Sequence, residues 1–119
     1  MDEIPTAEAF VRLRTGDSEA QRRAAWSPAP EAVWFEVIER FPEMRFWVAQ
    51  NKTVPLAVLR RLARDDDPRV RHMVASKRKL DRELFELLAG DADESVRRRL
   101  ALNPGLPADI RERLAAGEG

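Results

Sequence analysis

The chain contains no cysteine, which excludes disulfides, thiolate metal sites, iron–sulfur clusters and cysteine nucleophiles together. A cysteine-free chain also suits a reducing compartment. Charge of one sign is not in excess: Lys plus Arg number 21, and so do Asp plus Glu. Proteins that live on nucleic acid normally carry a basic surplus, so such a role here would need a local basic face. His72 is the single histidine. With no second His, no Cys and no spaced carboxylate cluster beside it, neither a metal site nor a nucleophile–base pair is expected. The first five positions hold neither the basic stretch nor the apolar run of a signal peptide. Nowhere does an apolar run approach the roughly 18 residues of a membrane span. The expectation is a soluble, cytoplasmic, monomeric protein without metal or cofactor, and no period-two alternation marks a strand.

What is present is a repeat. Hydrophobic residues make up 44% and charged residues 35% of 119 positions, enough for one folded domain over 1–119. Val48, Val74 and Leu100 form a column spaced 26 apart, and Ala49, Ala75 and Ala101 form the next. Val58, Leu84 and Ile110 follow the same spacing, as do Leu62, Leu88 and Leu114. A looser copy lies upstream, where Ala24 and Ala25 precede Val48 and Ala49 by 24. Four repeats result, at about 17–42, 43–67, 68–93 and 94–117. Before them, residues 6–14 read as a lone helix, with Thr6 as its N-cap and Gly16 just past its end.

Each repeat holds two short helices. In the third, Pro68 opens a helix reaching Ser76, with Val70 and Val74 as its buried stripe. Asp81 caps a second helix that turns Leu84, Phe85 and Leu88 inward and ends at Gly90. All eight prolines fall in loops or first turns. Units this short, with room for a 3₁₀ stretch, are stable only when stacked. Trp34, Leu59 and Phe85 share a column whose last member is Arg111, a polar substitution suited to an uncovered end.

The pattern V-R-x-x-V-A-x-N, then Pro, then L-x-x-L-A-x-D, carried by VRHMVASK…LFELLAGD and VRRRLALNPGLP…IRERLA, resembles the leucine-rich repeat variant family, a short relative of HEAT repeats. The likeness covers about 17–116 and departs from the family in period, which there favours 24, and in lacking a cysteine-rich iron–sulfur segment. It implies an all-α fold: a right-handed α-solenoid of about four 24–26-residue repeats with an N-terminal half-repeat cap. HEAT-like repeats also use Asp and Arg as a ladder between repeats. Here Glu39, Asp65 and Asp91 each precede an arginine by six: Arg45, Arg71 and Arg97.

Asn51 and Asn103 follow first helices, where left-handed C-caps are expected, with recognition by a loop row as the alternative. The column Arg22, Phe46, His72 and Arg98 points away from the buried stripe, beside Arg23, Trp47, Met73 and Arg99. An apolar patch of Phe46, Trp47 and Met73 bordered by arginines is what interface cores favour. The same spacing also allows Trp47 and Met73 to pack against the second helices, leaving Phe46 alone outside. The functional expectation is a non-catalytic protein–protein module, a small adaptor or inhibitor of antitoxin or immunity type, binding through Arg22, Phe46, Trp47, His72, Met73 and Arg98. The alternative is nucleic-acid binding by the basic segment 69–82, through Lys77, Arg78, Lys79 and Arg82.

Overall fold

Helices of two or three turns leave much of their backbone at unpaired ends, so each end needs its own hydrogen-bond partner. Acidic and hydroxyl side chains supply them. Thr6 Oγ1 accepts from Ala9 N (3.1 Å), Asp17 from Ala20 N (2.9 Å) and Asp81 from Leu84 N (3.0 Å). Asp67 and Asp93 accept from the amides two residues on, Arg69 N (2.9 Å) and Ser95 N (2.7 Å). Pro30, Pro107 and Pro68 stand at helix starts, where the missing N–H costs nothing.

The computed structural model describes residues 2–117; Met1, which opens the segment read for a signal peptide, and the last two positions of the expected 1–119 domain lie outside the described residues. Among the described residues the fold is all-α, with nine α-helices, one 3₁₀ turn and no strand. The chain divides into two units, 1–59 and 60–119. The boundary falls within helix α5 (Leu56–Leu62).

Residues 1–59 contain α1 (Ala7–Arg14), α2 (Ser18–Trp26), α3 (Glu31–Arg40), a 3₁₀ turn (Pro42–Met44) and α4 (Arg45–Gln50). Helix α1 packs on α2 and α3, and α3 packs on the 3₁₀ turn and α4. Their core is Phe10, Trp34, Val37, Ile38 and Val48, all fully buried. Phe10 meets Trp34 edge to face at 5.3 Å, a favoured aromatic geometry.

Residues 60–119 contain α6 (Pro68–Ala75), α7 (Arg82–Ala89), α8 (Glu94–Ala101) and α9 (Ala108–Ala115). Helix α6 packs on α7 and α8, α7 on α8 and α9, and α8 on α9. Val70, Val74, Leu84, Leu88, Val96, Leu100 and Ile110 fill the space between them. The helix bounds over 68–90 follow the sequence reading, with Asp81 as N-cap and Gly90 as C-cap of α7.

The helix ends differ from expectation in one respect. Among the described residues only Gly117 has positive φ, so neither Gly16, Gly90 nor either asparagine forms a left-handed cap. Asn51 and Asn103 are instead fully buried, which also removes them as a recognition row. Asn51 Nδ2 donates to the carbonyls of Ala24 (2.7 Å) and Ser27 (3.0 Å), while its Oδ1 accepts from Thr53 N (2.8 Å). Asn103 repeats the device: Nδ2 donates to Ala75 O (2.8 Å) and Lys77 O (2.7 Å), and Oδ1 accepts from Gly105 N (2.8 Å). Each amide thus satisfies the open carbonyls at the end of the preceding first helix, and Lys52 N adds a bond to Ala25 O (2.8 Å). Asn51 holds φ −55° and ψ 135° instead of the left-handed conformation, and the carbonyls its side chain meets lie in a dry site, where an unmade hydrogen bond is costly.

Gly105 has a steric duty beside this clamp. A Cβ built there would lie 2.4 Å from the Arg78 carbonyl oxygen. Asn103→Ala should cost about 2–4 kcal/mol by orphaning two carbonyls, and Gly105→Ala about 1–3 kcal/mol by overpacking. Urea unfolding followed by circular dichroism checks both; a loss under about 0.5 kcal/mol for Asn103→Ala would remove the clamp from the account.

A charged ladder and a candidate interaction face

Arginines in the first turns of α4, α6 and α8 reach back to main-chain carbonyls of the segment before them. Arg45 Nε donates to Ile38 O (2.9 Å) and Arg97 to Asp91 O. Arg71 donates to Asp65 O (2.7 Å) and Asp66 O (3.1 Å), and then forks onto the Asp91 carboxylate at 2.8 and 3.2 Å. The expected ladder between repeats is therefore changed in 60–119: the carboxylate pair joins two ends of the one segment 68–93, and from Arg71 and Arg97 only carbonyl contacts reach back to the segment before. Arg71 takes the carbonyl, not the carboxylate, of the residue six before it, and pairs with an acid twenty positions ahead. The Asp91 pair is largely screened from water, at 17% and 7% side-chain exposure, so it is worth more than an exposed pair. Asp91 Oδ1 also accepts from Asp93 N (2.9 Å), fixing the loop that starts α8.

Outer pairs tie neighbouring helices. Glu86 on α7 accepts from Arg113 on α9 (2.6 Å) and from Arg82 (3.2 Å), and Arg82 also bonds Asp109. The Arg113 guanidinium, then the charge of Arg82, hold the Glu86 carboxyl below its ordinary value. Arg82 does the same to Asp109.

The residues singled out for partner binding fall in both units. In 1–59, Phe46 and Trp47 on α4 are both half-buried and meet edge to face at 4.9 Å. Trp47 is covered on one face by Arg14, whose guanidinium carbon lies 3.4 Å from the ring centroid, a cation–π stack. Both aromatics keep an accessible part, so neither the fully exposed patch nor the buried reading of Trp47 holds unmodified. Arg22 on α2 is exposed. In 60–119, His72 and Met73 on α6 are half-buried, and the Ser76 hydroxyl donates to Met73 O (2.6 Å). Arg98 is exposed and pairs with Glu94 one turn earlier (3.0 Å).

Two residues escaped the sequence reading. Arg14 lies at the end of α1, where no column of the sequence pattern signalled it. Trp26 is 52% exposed at the end of α2, in the column of Gln50, Ser76 and Leu102. Its signal was available: it lies one turn beyond Arg22, on the side of α2 opposite buried Ala24.

The basic segment 69–82 is largely committed within its own unit. Arg69 binds Asp67 (2.9 Å), Arg71 binds Asp91, and Arg82 binds Asp109 and Glu86. Arg78 and Lys79 are exposed, and the Lys77 carbonyl serves the asparagine clamp. An open groove of about 230 Å³ in 1–59 sets Arg12 and Arg23 against Asp2 and Glu3 around Ile4 and Pro5. Among the described residues no group of three His, Asp or Glu is placed to hold a metal ion, and no helix is long and apolar enough to cross a membrane.

Stability should fall in acid. The folded pKa values of Glu86 and Asp109 are lowered, so their contribution is complete above the ordinary carboxylate range and is lost as pH drops through the folded values. The urea midpoint should be flat from neutrality to about pH 5 and decline below it. Glu86→Gln should flatten that decline; an unchanged acid slope would show that Glu86 does not contribute to it.

The chain matches no family model, and neither a curated protein nor a solved structure matches it.

Proposed function

We propose that this chain is a non-catalytic protein-interaction module, a small adaptor or inhibitor built as a right-handed α-solenoid of about four leucine-rich-repeat-variant-like repeats. The recurrence of one clamp at Asn51 and at Asn103, each reaching back to the preceding first helix, supports the repeat part of this reading. In it the protein is monomeric and works in the cytoplasm, in keeping with a cysteine-free sequence.

The observation that carries the binding part is the outer side of α2 and α4. Trp26, Phe46 and Trp47 retain accessible surface there, with Arg22 and Arg14 among them. Aromatic side chains and arginine supply most hot-spot energy in protein interfaces. Their side chains also lose little rotamer freedom on binding, since Phe46 and Trp47 already brace each other. His72, Met73 and Arg98 occupy the equivalent first-helix positions of 60–119 and belong to the same reading.

A photo-crosslinking amino acid at position 46, irradiated in cells, should give a discrete protein adduct. Trp47→Ala should reduce that adduct at least about tenfold, the effect of removing one interface anchor, while the helical dichroism persists. Adducts with nucleic acid alone, or no adduct at all, would overturn the proposal.

A further inference from the structure

The outer side of α2 and α4 carries exposed charge of both signs, with Glu19 one turn before Arg22 on α2, but two of its arginines are unspent. Arg60, Arg61, Arg69, Arg71, Arg82, Arg98 and Arg113 in the second unit all pair with carboxylates. Arg14 and Arg22 in the first unit pair with none among the described residues. Arg14 is the more unusual of the two. Its Nε is buried and donates to nothing, although its guanidinium lies flat on Trp47. An arginine in this state has left much of its hydration for a stack that satisfies the charge only partly. Its remaining donors keep a fork suited to a carboxylate.

Geometry joins these groups into one surface. Helix α2 turns Arg22 and Trp26, one turn apart, away from buried Ala24, and α4 turns Phe46 and Trp47 away from buried Val48 and Ala49. The C-terminal ends of the two helices are fastened by Asn51 Nδ2 to Ala24 O and by Lys52 N to Ala25 O. Stacking of Arg14 on Trp47 brings in α1.

Resting on the protein-binding reading above, we infer that this surface takes an acidic segment of a partner protein, in which carboxylates meet Arg14 and Arg22 while apolar side chains lie against Trp26, Phe46 and Trp47. Charge complementarity selects this occupant. A basic segment would face two guanidinium groups that no carboxylate binds, with Glu19 alone to meet it on α2, and like-charge juxtaposition disfavours a wrong partner. A purely acidic segment would leave the aromatic surface wet.

The test uses the full-length protein and fluorescence polarisation with labelled probes. They are a twelve-residue peptide alternating Glu or Asp with Leu and Phe, its Lys-for-acid counterpart, an oligoglutamate of equal length, and a single-stranded oligonucleotide. The acidic–apolar peptide should bind most tightly and weaken as salt is raised, because exposed charge pairs are screened. Arg14→Ala/Arg22→Glu should weaken it about tenfold or more. If the double variant loses its helical dichroism, the exposed site alone, Arg22→Glu, is read instead. Equal or better binding of the basic peptide or the oligonucleotide overturns the inference, as does an affinity the charge variants leave unchanged. Failure of the parent reading is separable. If the position-46 crosslink to a protein survives Arg22→Glu while the acidic peptide fails to bind, the protein partner stands and its acidity falls.

Discussion

Two buried amides hold the register of this fold. Each helix here is too short to persist alone, since nucleating a turn is unfavourable and few propagating residues follow. The helices must therefore pack on one another, and their ends carry open carbonyls that apolar packing would strand. Asn51 and Asn103 resolve the conflict inside the protein, donating both hydrogens of Nδ2 to the previous first helix and accepting a loop amide on Oδ1. Only a side chain with two donors and an acceptor in one plane can do this. The surrounding valines and leucines can then close without stranding these carbonyls.

The all-α class and the helix placement were legible because periodicity, prolines and caps all pointed the same way. Val70, Val74, Leu84 and Leu88 read as core from spacing alone, and all are buried. Asp81 read as a cap from its position before an apolar stripe, and it caps. Agreement between independent local signals is what makes such a reading reliable. The asparagines were misread because a left-handed cap and a buried clamp demand the same residue at the same place. Only the position of the preceding helix separates the two, and that is tertiary information.

The ladder and the candidate face were half legible for a related reason. Sequence spacing found Arg71 and Asp91 but paired Arg71 with the nearer Asp65, whose carbonyl rather than carboxylate faces it. Phe46 and Trp47 stood out as a break in otherwise uniform columns. Arg14 could not, because it lies outside the spaced columns and reaches Trp47 only through the packing of α1. Features encoded by period are visible one chain position at a time; features made by two elements meeting are not.

The two kinds of fastener answer to different surroundings. Arg82, Arg113 and their carboxylates lie near water, where added salt weakens them and acid discharges one partner. The asparagine clamps are neutral and fully buried, so neither condition reaches them. Across a range of cellular ionic environments, the outer fastenings can slacken and re-form while the order in which helices follow one another stays fixed. The molecule thereby separates the permanence of its architecture from the adjustability of its surface.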